Sequence, residues 1–331
     1  VRKLLSRKVL IPVGILTAAL VLLSLLGIPK VVLPEISIPA ETVFELFGFK
    51  ITNTLLATWL TMLLLIVGSW AITRKMREVP RRWQSGLEMI VESLLGLVEG
   101  AAGRKWARRF LPVVATIFLF LLLSNWLGLT PLFGGWGVLH ESHEEGKGVP
   151  VVWNGSHTLG IIVREDKTGE AEGHYILAPM FRSAATDMNT TIALALVSVV
   201  LTQYFGLKAL GVPYFGKFIA VKRVVQAFTK RGQGCTGRIG AFFMGIIDIF
   251  VGVIETISEF GKIISFSFRL FGNVMAGEVL LGVIGFLIPY LVSLPFYGLE
   301  LFVGFVQALV FMMLTVAFFV TAISSHGAES H

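Results

Sequence analysis

Between Ile239 and Ile288 the sequence carries neither a proline nor a polar turn cluster, so its simplest reading is one continuous helix of 50 residues. At 1.5 Å per residue such a helix measures about 75 Å, more than twice the hydrocarbon thickness of a bilayer. It must be steeply inclined or bent. The competing reading, two separate spans, needs a turn near EFGKIIS, where Gly261 is the only breaker. Pro289 and Pro295 then punctuate a hairpin, and Phe296 to Ser325 reads as the last long helix.

A bilayer is the relevant solvent because 55% of the residues are hydrophobic and only 15% charged, against about 25% charged in soluble domains. Uncharged runs from Val9 to Ile28, Ile51 to Thr73, Phe110 to Leu139 and Met188 to Leu207 are each about long enough to span. The expected fold class is therefore an all-α polytopic membrane protein with about six membrane helices, ending in a long, steeply inclined helical hairpin over residues 239–325. The first run follows Arg2, Lys3, Arg7 and Lys8 and has no small-x-small cleavage site behind it, so residues 1–29 read as an uncleaved signal anchor. Residues 30–331 read as a single membrane domain.

The net charge of +7 is topological information and does not indicate a nucleic-acid partner. Arg74, Lys75, Arg77, Arg81 and Arg82, with Arg104, Lys105, Arg108 and Arg109, bracket the segment 74–109, and Lys217, Lys222, Arg223, Lys230, Arg231 and Arg238 fill 211–238. By the positive-inside rule both segments face the cytoplasm. That puts residues 29–50 and the loop 133–186 outside, and both termini inside. Within the first cytoplasmic segment, WQSGLEMIVESLLGLVE sets Glu88, Glu92 and Glu99 at helical spacing against Leu87, Ile90, Val91, Leu94 and Val98. This is an amphipathic helix for the membrane surface or a partner.

Several features carry no chemistry. Cys235 is the single cysteine and has no partner for a disulfide or redox pair. His140, His143 and Glu144 in HESHEEGKG lack a second ligand pair at a metal-site spacing, so the segment reads as a solvated loop. The NGS sequon at 154–156 is a pattern that chance supplies often. No phosphate-binding loop of the G-x-x-x-x-G-K-[ST] kind occurs, so no nucleotide cofactor is expected.

The chemistry gathers in the last third. Asp248, Glu255, Lys262 and Arg269 are seven residues apart and drift only about 20° per step, so they share a helix face, joined by Glu259 and Asn273. Each charge at the bilayer centre costs at least about 2.5 kcal/mol, so this stripe must meet water, protein or counter-charge. Glu255 or Glu259 paired with Lys262 is the bland explanation for part of it. Arg269 resists that explanation, because positions 265, 266, 272 and 273 are Ser, Phe, Gly and Asn. Glu278, nine residues on, points about 180° away. Across the hairpin, Glu300 and Gln307 share a face, and Glu300 comes level with Glu278 near the outer end. Two facing carboxylates with no Lys or Arg nearby suggest a wet proton or cation path.

FRLFGNVMAGE followed by QALVFMMLTVAFF resembles subunit a of the F-type ATP synthase, as do NWLGLTP at 125–131 and TDMNTTIALAL at 186–196, in the same order and spacing. The resemblance implies a stator channel beside a rotating c-ring, with the peripheral stalk subunit b and the remaining synthase subunits as partners, in a bacterial inner membrane. It implies that Arg269 stabilises the deprotonated ring carboxylate and separates two half-channels. Asn273 takes the nearby polar position and Gln307 the position opposite the arginine. Glu278 and Glu300 fall where the family keeps ionisable groups on the outer half-channel, with Asp187 at its mouth beside Asn189, and Glu255 falls on the inner half-channel. The chain departs from the family in its extra span before residue 30, its longer outer loop and a Glu where His is common. The rival class, a stand-alone secondary transporter, would show internally repeated halves. The charges crowd into one third instead.

Overall fold

In the computed structural model the described residues are 39–46, 48–74, 82–130, 133, 137–141, 149–153, 160–162, 174–211, 214, 235–287 and 293–324. The expected signal anchor, the basic stretches 75–81 and 217–231, the sequon and the side chain of Asp248 lie outside them.

Five described helices are long and apolar enough to cross a membrane: α1 (Asn53–Thr73), α2 (Arg82–Gly128), α3 (Met188–Leu210), α4 (Cys235–Leu287) and α5 (Leu294–Ser324). The long run beyond Ile239 is a single helix of 53 residues, so the two-span alternative at Gly261 is set aside. α1 starts where the hairpin of β1 (Thr42–Leu46) and β2 (Phe49–Thr52) ends, and Thr52 caps it by accepting a 3.3 Å hydrogen bond from Leu55 N–H on Oγ1.

The burial pattern of α1 inverts that of a water-soluble helix. Its buried residues are Asn53, Thr54, Ala57 and Thr61, while Trp59, Leu63, Ile66 and Trp70 are exposed. In lipid, small and polar residues let backbones approach and the large apolar ones face the tails. The same logic governs α3, which buries Thr191, Ala195, Ser198 and Thr202, with Ser198 hydrogen-bonded to Thr315 of α5 at 3.0 Å.

Gly103, at φ 71° and ψ 156°, divides α2 into an amphipathic portion that buries Leu94 and Val98 and an apolar portion that buries Phe110, Val114, Phe118 and Leu121. The third uncharged run extends to Leu139 in the sequence, with residues from 133 onward expected in a loop. The helix stops at Gly128, because Leu129 and Thr130 turn back onto the carbonyls of Trp126 and Leu127.

The segment 133–186, whose HESHEEGKG stretch was expected to be a solvated loop, contains strands: β3 (Gly137–Glu141), β4 (Val149–Trp153), β5 (Gly160–Ile162) and β6 (His174–Pro179). They form an antiparallel sheet in the order β3-β6-β4-β5, with Leu139 opposite Leu177 and Val151 opposite Ile162. Short strands among Gly and polar residues give too little alternation to stand out against the membrane signal.

The chain divides into two compact units. One draws its described residues from the stretch up to Val67, from Phe120 to Asp187 and from Gly272 to Gln307; the other from Gly68 to Leu119, Met188 to Phe271 and Ala308 onward. The second is centred on Phe110, which meets Phe205 and Phe319 edge-on at 4.9 and 5.0 Å, with Phe205 and Phe319 themselves 4.9 Å apart. These rings tie α2, α3 and α5 together.

Candidate functional site: an exposed arginine face and a paired-carboxylate cluster

In the second unit, α4 turns one side towards α5 and leaves the other open. Phe266, Ser267 and Leu270 are buried, and Phe266 lies between Phe311 and Phe318 at 4.8 and 5.0 Å. Phe268 and Arg269 are exposed. Arg269 lines an open groove with Lys262, Ser265 and Phe318, and among the described residues it has no hydrogen-bond or ion-pair partner.

Lys262, one heptad before Arg269, behaves otherwise. Its Nζ lies 2.7 Å from Glu259 Oε1 and 4.9 Å above the Phe318 ring. The internal pairing weighed for the stripe therefore holds for Lys262 and Glu259, and it leaves Arg269 apart.

Beside this seam stands Tyr214, which the sequence reading passed over. Its hydroxyl donates to Gln203 Oε1 at 2.6 Å, and its ring packs on the bare backbone of Gly206. Burial, then the carboxylates of Glu259 and Glu255, push the phenol up to about 12. Glu255 and Glu259 thus both lie near enough to Tyr214 to act on its charge. Its signal was GVPYFG, where Gly and Pro announce a turn that brings an aromatic back onto the preceding helix. Asn189, in the first turn of α3, is exposed.

In the first unit, Asp187 follows the short 3-10 turn Ala184–Thr186 and accepts a 3.0 Å hydrogen bond from Thr54 Oγ1 on its Oδ2. Asn53 Nδ2 donates to the Pro179 carbonyl, so the start of α1 holds the end of β6. The Glu300 carboxylate packs directly against Gly277, at a point where any Cβ would collide with it. Glu300 therefore sits level with Glu278, as the hairpin register had suggested.

The expectation that no Lys or Arg lies near these carboxylates is wrong. Arg182 Nε lies 3.0 Å from Glu278 Oε1 and 3.1 Å from Oε2, and its terminal nitrogen is 3.4 Å from Met275 Sδ. The sequence reading looked for counter-charges one helical turn away, whereas Arg182 comes from a loop 96 residues earlier. A signal was present: Arg182 stands next to a span in the segment that the charge pattern assigns to the outside, against the positive-inside bias.

Gln307 is buried, and its Nε2 has no hydrogen-bond partner among the described residues. Asn273 is half-buried. Of the residues expected to act together, Asp187, Asn273, Glu278, Glu300 and Gln307 belong to the first unit, and Asn189, Glu255 and Arg269 to the second.

Similarity to known proteins bears on this arrangement. The family described as "ATP synthase A chain" matches residues 55–320. The chain is 31% identical over 274 residues to the ATP synthase subunit a of Gloeobacter violaceus, an alignment covering 83% of this chain and 85% of that protein. Five long apolar helices and a family match across nearly all of them make this an integral, multi-pass membrane protein that belongs to the ATP synthase A chain family.

Proposed function

We propose that the chain is the stator ion-channel subunit of an F-type ATP synthase, passing protons to and from carboxylates on a rotating c-ring. The observation that carries this reading is Arg269. An exposed guanidinium on a membrane helix with no counter-charge among the described residues requires an anion from elsewhere, and a ring carboxylate is that anion.

A proton enters from outside past Asp187 and Asn189, reaches Glu278 and Glu300, and neutralises a ring carboxylate, which then travels through lipid. After the circuit, Arg269 favours the deprotonated carboxylate, and the proton leaves past Glu255 to the cytoplasm. The fixed positive charge also blocks direct leakage between the two routes. Asn273 and Gln307 offer amide groups to the polar side of the hairpin. Arginine suits the role better than lysine because it stays charged when buried.

Each charge crossing the membrane yields about 2.3 kcal/mol per 100 mV, which rotation conveys to subunits that make ATP. The chain is not catalytic alone. Its partners in this reading are the c-ring, the peripheral stalk subunit b and the rest of the synthase, in a bacterial inner membrane.

The test is Arg269→Ala, with proton-driven ATP synthesis followed in membrane vesicles. Synthesis is expected to vanish while the complex still assembles. Unchanged synthesis would overturn the mechanism.

A further inference from the structure

Two carboxylates stand at the outer end of the hairpin, and their surroundings differ. Glu278 has a cation against it: Arg182 Nε is within hydrogen-bond reach of both its oxygens. Glu300 has no hydrogen-bond or ion-pair partner among the described residues and lies on the bare backbone of Gly277.

Exposure within the ion pair is unequal: 5% of the Arg182 side chain is exposed against 42% of that of Glu278. A cation hidden to that degree draws on its counter-ion, whereas the carboxylate stays half-open. The arginine is also held from behind. Ser183, Ala184 and Ala185 are buried, Ser183 backs onto Gly128 so closely that no side chain fits there, and Thr186 returns both its N–H and its hydroxyl to the Ser183 carbonyl. Arg182 is thus a cation built into a rigid turn, aimed at one carboxylate of the two.

From this geometry we infer that Arg182 is a positioning residue for the outer route: it holds Glu278 as a fixed anion and leaves Glu300 to carry the proton. This rests on the outer route proposed above. In the transfer, a proton from water binds one Glu300 oxygen, and the same proton then leaves for a ring carboxylate. Glu278 stays ionised throughout, because protonating it would remove the negative charge that both Arg182 Nε contacts meet.

A double-variant cycle tests this, reading proton-driven ATP synthesis per assembled complex, with assembly measured by native gel and immunoblot. Arg182→Gln is expected to slow synthesis roughly tenfold, the scale of a misplaced functional group. Arg182→Lys, which keeps the charge, is expected to recover most of that loss. In a Glu278→Gln background, Arg182→Gln is expected to add less than about a twofold change, because the arginine acts through that carboxylate. Glu300→Gln is expected to be slower than Glu278→Gln.

An equal slowing by Arg182→Gln in both backgrounds, or no recovery with lysine, overturns the inference and leaves the outer route standing. Wild-type rates in both Glu278→Gln and Glu300→Gln overturn the route itself, and the inference with it.

Discussion

Two arginines in this chain sit against apolar surroundings and are handled in opposite ways. Arg182 is buried on a rigid turn and bonded to Glu278; Arg269 stands exposed on α4 with no partner among the described residues. A paired, buried charge belongs to the architecture, and removing its partner costs stability. An unpaired charge on an open face contributes little to the fold and is maintained for what it meets. The first should therefore be read by unfolding as well as by activity, and the second by activity alone.

The largest expected effect follows from that contrast. Arg269→Ala should lower proton-driven synthesis by about a hundredfold or more, the scale on which a lost charge-stabilising group acts. The melting temperature of the purified complex should barely move. A large drop in Tm would show that Arg269 has a structural partner after all and would dissolve the contrast.

Next comes the outer pair. Glu278→Ala takes from a buried guanidinium the carboxylate that its Nε meets and should destabilise by about 3 kcal/mol, whereas Arg182→Ala leaves the more open partner, 42% exposed, and should cost about 1 kcal/mol. Denaturant unfolding of the two variants gives the ratio, and equal losses would contradict the unequal burial.

A smaller effect is expected at Gly277. A methyl there collides with the Glu300 carboxylate, but that group ends a flexible side chain and can swing aside. Gly277→Ala should thus cost under about 1 kcal/mol and still slow proton flow a few-fold, as dye-monitored vesicles would show.

The smallest is spectroscopic. With its ordinary value near 10 and its folded value near 12, Tyr214 contributes stability that is complete below pH 10 and disappears as pH rises through 12. The difference spectrum between the wild type and Tyr214→Phe should show phenolate only near the upper limit.

Much of this was legible in the sequence for a physical reason. Spans announce themselves by length and apolarity, so α1, α3, α4 and α5 were all expected, and the absence of proline foretold that α4 would be continuous. Helical phase also puts Arg269 and Glu278, both on α4, about 180° apart. What escaped was tertiary. Arg182 meets Glu278 across 96 residues, and no local periodicity records such a contact. Tyr214 reaches Gln203 only because Gly206 leaves room for its ring, a matter of packing. The outer strands were hidden because the membrane runs dominate any pattern search.

Gly103 has a consequence for how variation can be tolerated. Nothing lies within 4 Å of where its Cβ would be, so by contact the position is free to change. Its backbone, at φ 71° and ψ 156°, occupies a region almost reserved for glycine. A saturation scan across α2 should therefore find an intolerant site in open space, where any other residue straightens or breaks the kink between the amphipathic and the apolar portion. Orientation of the whole amphipathic segment is encoded in a single codon, and the constraint is one of conformation with no neighbour to reveal it.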